Sequence, residues 1–314
     1  MNERDPDHGM VPGVQEMYER ESYTSRAFPR QCLTEPPIDP YATLSRSLER
    51  LGVARNNREF RLCDLGTGDG LGLWQAMKLR WPQAYISGVD MRSTDWGLLK
   101  EYAMYTGIDP PELRQGTVEN LPWQQPNNFD AVTSVYSADY GNPDTWLRIV
   151  RRALKDDGLF GATVVVSGSE PLKTILKSTA AEILGIKPPP VWTDNFNADN
   201  APSILYNHGF QPIDIIPEEA YITLRNEVDV QAYLSALCTP YSFYTEPQTS
   251  THTGHTYSEQ ELKVYWAQVI EGSIAQIIFR VMDDSPDGTY RDPIKIMTFV
   301  SQKYETVGRD HPDR

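Results

Sequence analysis

The chain has 314 residues, of which 39% are hydrophobic, 23% charged and 11% aromatic, enough to bury one sizeable core with a cap or two modest domains. Its formal net charge is −14, which leaves no basic footprint for a nucleic acid or for the anionic surface of a membrane. Three widely separated cysteines, Cys32, Cys63 and Cys238, argue against a disulfide framework and for a reducing compartment. The N-terminus (MNERDPDHGM) is too polar for a signal peptide, and no apolar run approaches the roughly 18 residues of a membrane span, so the expected location is the cytoplasm.

In chain order, residues 1–10 read as disordered, and 11–28 form a short amphipathic segment carrying Met17, Tyr18 and Tyr23. A proline-spaced linker follows (Pro29, Pro36, Pro37, Pro40), then a helix over 42–51 with Leu44, Leu48 and Leu51 on one face and Gly52 at its end. This N-terminal quarter reads as an appendage on a core unit.

The chain is organised around 61–90, RLCDLGTGDGLGLWQAMKLRWPQAYISGVD. A short apolar run ends in Asp64 and is followed by glycines at alternate positions, Gly66, Gly68 and Gly70. Glycines suit a tight turn whose bare backbone a ligand must approach. A helical pattern (Leu73, Trp74, Met77) stops at Pro82, and a second strand ends in Asp90. That acid stands about 20 residues past the last glycine, where a carboxylate can accept the hydroxyls of an adenosine ribose. Dinucleotide sites favour G-x-G-x-x-G, with a pyrophosphate over the helix N-terminus. Here Asp69 lies inside the loop, at an electrostatic cost to a pyrophosphate but not to a cofactor bearing sulfonium and ammonium groups. The residues lean away from NAD and towards S-adenosylmethionine.

Further along, 96–105 reads as a helix, 112–118 as a third strand and 129–136 as a fourth, its apolar character suiting a parallel strand covered on both faces. Residues 143–154 form an amphipathic helix (Trp146, Ile149, Val150, Leu154) whose Arg148, Arg151 and Arg152 read as one solvated face. Asp157-Gly158 makes a turn into a fifth strand, 159–166. Alternating strands and helices over 60–166 imply a doubly wound parallel α/β sheet. Beyond it, helices are expected over 171–186, 201–208 and 226–237, and a sixth strand over 212–216. His208 complements a helix C-terminal dipole. Residues 239–257 form an aromatic-rich loop in which Tyr241, Phe243 and Tyr244 either wall a substrate or simply pack. His252 and His255 lack the carboxylate or thiolate company of a metal site, so no metal is expected. Ser258 and Glu261 form a capping box opening a long helix through Leu262, Trp266, Val269 and Ile277, and the last strand is 294–300. The expected division is a lid or cap segment over 1–50, a cofactor-binding core over 51–170, and cap helices, aromatic loop and final strands over 171–314.

Over 61–166 the chain resembles the class I S-adenosylmethionine-dependent methyltransferases, in particular the UbiE-like group that modifies small molecules and natural products. Asp64 to Gly70 resembles the family's first motif, Asp90 its ribose acid, the segment 117–122 its adenine-flanking stretch, 130–140 its fourth strand with a substrate-facing end, and 154–158 (LKDDG) its L-K-P-G-G turn. The resemblance implies a Rossmann-like sheet of seven strands, the last antiparallel, with a helical cap. It implies S-adenosyl-L-methionine as cofactor and S-adenosyl-L-homocysteine as product, held by Asp64, Gly66, Thr67, Gly68, Gly70, Asp90, Met91, Thr117, Val118, Glu119, Ser134 and Tyr23. Asp139 and Tyr140 at the end of the fourth strand, with Tyr18 from the lid, are the catalytic candidates. Each has a plainer reading: Asp139 as a helix cap, Tyr18 and Tyr23 as packing residues, Asp64 as a brace for the loop amides.

The departures are Thr117 where an acid is common, Asp156 where proline is usual, and Asp139-Tyr140 where relatives often show two histidines. The nucleophile class therefore stays open. The implied activity is methyl transfer to a small organic acceptor of secondary metabolism, with a homodimer among the compatible assemblies. Two alternatives stand beside it. One is a cyclase that uses the bound sulfonium electrostatically. The other is an NAD(P)-dependent oxidoreductase, disfavoured by Asp69, the G-x-G-x-G spacing and the lack of a Y-x-x-x-K pair in the second half.

Overall fold

The structure is a computed structural model that describes residues 34–35, 38–52, 60–90, 96–117, 126–138, 142–166, 171–186, 196–230, 248–278 and 288–304. Its first half contains β1 (Thr34–Glu35), α1 (Pro40–Arg50), β2 (Arg61–Leu65), α2 (Leu71–Leu73, running into a π turn at Trp74–Lys78), β3 (Tyr85–Asp90), α3 (Gly97–Thr106), β4 (Glu112–Gln115), β5 (Phe129–Val135), α4 (Pro143–Ala153) and β6 (Leu154–Val165). There follow α5 (Pro171–Leu184), α6 (Ala201–Asn207), β7 (Phe210–Leu224), β8 (Gln248–Thr249), β9 (Thr256–Tyr257), α7 (Glu259–Ile277) and β10 (Tyr290–Lys303). The chain divides into two compact units, one comprising 39–167, 192–218 and 295–314, the other 1–38, 168–191 and 219–294.

The sheet order is β1-β7-β10-β6-β5-β2-β3-β4. β2 lies parallel to β3 and β5, β3 to β4, and β5 to β6, while β10 runs antiparallel to β6. This is the doubly wound α/β sheet expected, with eight strands rather than seven. The additional one, β1, is two residues long and pairs only with Tyr221 and Ile222, too short to announce itself by alternation.

Strand alternation sends neighbouring residues to opposite faces of the sheet, and in the first unit each face has its own core. On one face Val132, Phe160 and Phe299 join Trp146, Leu147 and Val150 of α4, with Phe196, Leu205 and Phe210. On the other, Ala131, Leu159 and Val300 join Leu44 and Leu48 of α1, with Met77, Trp81 and Ile86. The buried stripe of α1 is Tyr41-Leu44-Leu48; Leu51, expected on that face, is its exposed C-cap.

Three features differ from those read in the sequence, each for a local reason. The Asp157-Gly158 turn is instead a bulge inside β6, where the register jumps from Phe129↔Leu154 to Ala131↔Leu159. Lys155 braces it by donating to Asp130 Oδ1 at 2.6 Å, and Lys303 by donating to the Leu154 carbonyl at 2.8 Å. β7 runs for 15 residues, well past 212–216; Pro212 and Pro217 break the β pattern in sequence but are tolerated toward a sheet edge. Arg151 is not solvated: it is partly buried against Gly209 and donates to the Tyr304 carbonyl at 3.1 Å.

In the second unit, α5 and α7 approach closely at Gly272, where a Cβ would stand 2.9 Å from Ile183 Cδ1. The capping box of α7 is formed as expected: Ser258 Oγ accepts from Glu261 N, and Glu261 Oε2 accepts from Ser258 N at 2.8 Å. The expected amphipathic segment at 11–28 and most of the expected helix at 226–237 lie outside the described residues. No helix among the described residues is long and apolar enough to cross a membrane.

Candidate cofactor site

The loop between β2 and α2 sits at the carboxyl ends of the central parallel strands, where open α/β sheets bind ligands. Gly66, Gly68 and Gly70 have φ of 70°, 61° and 77°, in the left-handed region that glycine enters without steric cost. Gly66 N and Thr67 N donate to the Val89 carbonyl at 2.8 and 3.1 Å, and Gly70 N to the Thr67 carbonyl at 3.1 Å. Asp69 Oδ1 accepts from Leu71 N at 3.1 Å, and the Trp96 indole donates to the Gly68 carbonyl at 3.2 Å. The loop is thus tied down along its length before any ligand arrives.

The glycines differ in what surrounds them. A Cβ on Gly66 would stand 2.3 Å from Ser137 Cβ, and one on Gly70 2.5 Å from Leu113 Cδ1. On Gly68 it would have no atom of the described residues within 4 Å. Gly66 and Gly70 serve packing, whereas Gly68 presents a bare backbone cradle that a side chain would fill.

Three carboxylates frame the loop. Asp90, almost fully buried at the end of β3, accepts from Gly68 N at 2.9 Å. Asp69 accepts from the first amide of α2, Leu71 N. Asp64 is fully buried: Oδ1 accepts from the Thr133 hydroxyl at 2.6 Å and Oδ2 from the Tyr41 hydroxyl at 2.8 Å. Burial pushes the Asp64 carboxyl up to about 7, against the opposing pull of the Thr133, Tyr41 and Thr67 hydroxyls, and Asp90 adds to the rise. Of the two roles weighed for Asp64, the loop-amide brace is not what the structure shows; its partners are hydroxyls from α1 and β5.

The remaining candidates fall into three groups. Thr67 is buried at the foot of the loop, and a Cβ on the neighbouring strand residue Gly88 would lie 2.9 Å from it. Ser134 is buried in a hydroxyl chain, 2.5 Å from Ser137 Oγ, which donates to the Leu65 carbonyl at 2.5 Å. Thr117 is half-buried just past β4, in a segment fastened to β3 where Gly116 N donates to the Asp90 carbonyl at 2.9 Å. Tyr18, Tyr23, Met91, Val118, Glu119, Asp139 and Tyr140 lie outside the described residues, as do Tyr241, Phe243 and Tyr244.

Sequence reasoning missed two residues here. Tyr41 follows the Leu44–Leu48 stripe one turn back and could be read as core, but nothing local marks its hydroxyl as the partner of Asp64. Tyr136, at the end of β5, holds φ of 54°, a conformation rare for a bulky side chain that no sequence pattern signals. His208 does what its position suggested, with Nδ1 2.8 Å from the Ile204 carbonyl and Nε2 3.0 Å from Asp144. Among the described residues no group of three His, Cys, Asp or Glu side chains is arranged to hold a metal.

Residues 56–200 match a family model described as a methyltransferase domain. Among curated proteins none matches the chain by sequence. Among solved structures, the chain is similar to a protein of Bacillus halodurans classed as a methyltransferase, at 15% identity and a TM-score of 0.50, covering 84% of this chain and 100% of that one. It is similar to YcgJ of Bacillus subtilis at 18% identity and a TM-score of 0.48, covering 84% and 99%. A geranyl diphosphate C-methyltransferase of Streptomyces coelicolor, solved with S-adenosyl-L-homocysteine, aligns at 11% identity and a TM-score of 0.46, covering 83% and 76%. The match over 56–200 takes in the glycine loop and its acids, so that stretch is similar to a methyltransferase domain, and the solved structures share its fold.

Proposed function

We propose that this enzyme transfers the methyl group of S-adenosylmethionine to a small organic acceptor of the natural-product type, with 51–170 holding the cofactor and residues from 1–50 and 171–314 supplying the acceptor-side cap. The observation that carries the reading is the acidic frame of Asp64, Asp69 and Asp90 around the bare backbone at Gly68. That frame suits a cationic cofactor and opposes a pyrophosphate. The net charge of −14 favours a small acceptor over nucleic acid.

The cofactor supplies an electrophilic methyl on a positively charged sulfur. The chain's task is to orient the reactants and keep water out, and alignment alone is worth up to about 7–11 kcal/mol. Asp139 and Tyr140 are proposed to face the acceptor, with Tyr18 and Tyr23 closing over the site. A cytoplasmic homodimer is the proposed setting, which light scattering of the purified protein tests directly.

Calorimetric titration with S-adenosylhomocysteine, S-adenosylmethionine and NADH in parallel tests the function. Micromolar binding of the first two and none of the third is expected; binding of NADH alone would overturn the reading. Acceptor screening by mass shift then separates methylation from a cyclase, whose product carries no added methyl. Asp90→Ala removes the acceptor for Gly68 N and the proposed ribose ligand. It is expected to weaken S-adenosylhomocysteine binding by about 1–3 kcal/mol, and unchanged affinity would place the ribose elsewhere.

A further inference from the structure

Tyr41 touches the cofactor loop at both of its ends. Its hydroxyl donates to Asp64 Oδ2 at 2.8 Å, where β2 enters the loop. Its ring lies against the helix that leaves the loop: a Cβ on Gly72 would stand 2.6 Å from Tyr41 Cδ2 and 2.7 Å from Cε2. Gly72 is glycine for this close approach.

The residue is nearly fully buried and belongs to a helix that cannot easily shift. Asp39 caps α1 by accepting from Ala42 N at 3.0 Å, Pro40 opens its first turn, and Leu44 and Leu48 are fully buried below. A Cβ on Gly161 of β6 would meet Leu44 Cδ2 at 2.7 Å, so α1 is seated directly on the sheet. Helix, ring and hydroxyl form one rigid strut.

We propose that Tyr41 is a positioning residue of the cofactor site: it sets the orientation and ionisation of Asp64 and the spacing of the loop from α2, and thereby the affinity for the cofactor, without touching it. The proposal rests on the cofactor reading above. The charged and titratable groups acting on Asp64 are Tyr41 from α1, Asp90 from β3 and the neighbouring Cys63, with the hydroxyls of Thr67 and Thr133 completing its surroundings, and Asp69 of the loop acts on Tyr41. Among the described residues no ion pair to a lysine, arginine or histidine reaches it. Hydroxyl donors are what favour its charged form, so losing one makes Asp64 harder to ionise.

The test is S-adenosylhomocysteine binding by calorimetry across pH 5.5–8.5 for wild type and Tyr41→Phe, with melting temperatures measured alongside. Tyr41→Phe keeps the ring against Gly72 and removes only the hydroxyl. Expected are a roughly tenfold loss of affinity at pH 7 and a rise of about one unit in the pH at which affinity falls off on acidification. Thr133→Val, which removes the other donor, should repeat the pH shift, and it serves in place of Tyr41→Phe should that variant fold poorly. A folded Tyr41→Phe or Thr133→Val protein with wild-type affinity and an unmoved pH profile overturns the proposal and leaves Tyr41 as a core residue. Failure of the wild type to bind S-adenosylhomocysteine at any pH is a different outcome, which sinks the cofactor reading and this one with it.

Discussion

Replacing Asp64 with asparagine is expected to stabilise the protein at pH 8 and to do so clearly less at pH 5. In the folded protein the Asp64 carboxyl keeps its proton to about pH 7, whereas its ordinary value is 3.8. Between those values the native state binds a proton that the unfolded chain has released, so stability falls as pH rises from about 4 to about 7 and then levels off. A gap of about three pH units at about 1.4 kcal/mol each is on the order of 4 kcal/mol. Asparagine resembles the protonated carboxyl and carries no such term. Urea unfolding of both proteins at pH 5 and pH 8 measures the difference, and parallel pH dependences would refute the assignment. The gain should come with a loss. On the proposed placement of the cofactor, the variant at pH 8 lacks a negative charge toward the ligand's ammonium group, and S-adenosylhomocysteine affinity should fall at least tenfold, about 1.4 kcal/mol or more. A residue that weakens the fold and strengthens the site is the usual form of a stability–activity trade-off.

Alanine at Gly66 should damage the fold, whereas alanine at Gly68 should damage the site. Both residues have left-handed φ, which costs an L side chain about 1–2 kcal/mol. At Gly66 the new Cβ would also stand 2.3 Å from Ser137 Cβ and 2.5 Å from its Oγ. Ser137 cannot yield freely, because its hydroxyl joins the Leu65 carbonyl to Ser134 at the end of β5. Overpacking of this kind adds about 1–3 kcal/mol, so Gly66→Ala should lose about 2–5 kcal/mol of stability. Gly68→Ala meets no atom of the described residues within 4 Å. It should cost only the conformational 1–2 kcal/mol while filling the cradle and abolishing measurable S-adenosylhomocysteine binding. Thermal unfolding beside calorimetric binding for the pair decides the matter. Equal stability losses, or normal binding by Gly68→Ala, would contradict the division of labour.

The unit 61–90 was legible because its signals are local. An apolar run ending in an acid, three alternate glycines and a second acid about 20 residues on each report backbone geometry through neighbouring residues alone. The Ser258–Glu261 capping box was legible for the same reason, both partners lying within one helical turn. Edges and bulges were not. Nothing in LKDDG distinguishes a turn from a bulge until Phe129 and Ala131 fix the register across the sheet. The length of β7 is hidden by Pro212 and Pro217, which a sheet edge tolerates and a central strand would not.

By itself, then, the sequence determined the α/β alternation, the glycine loop, the acids around it and the cationic character of the ligand they suit. Tertiary structure alone decided what each acid does. Asp64, Asp69 and Asp90 look alike in sequence, yet one accepts from the first amide of a helix, one holds a loop amide, and one is sealed from water between hydroxyls 23 and 69 residues away. A carboxyl's ionisation depends on the solvent it loses and the donors it gains on folding, and both are set by packing across the sheet rather than by neighbours along the chain.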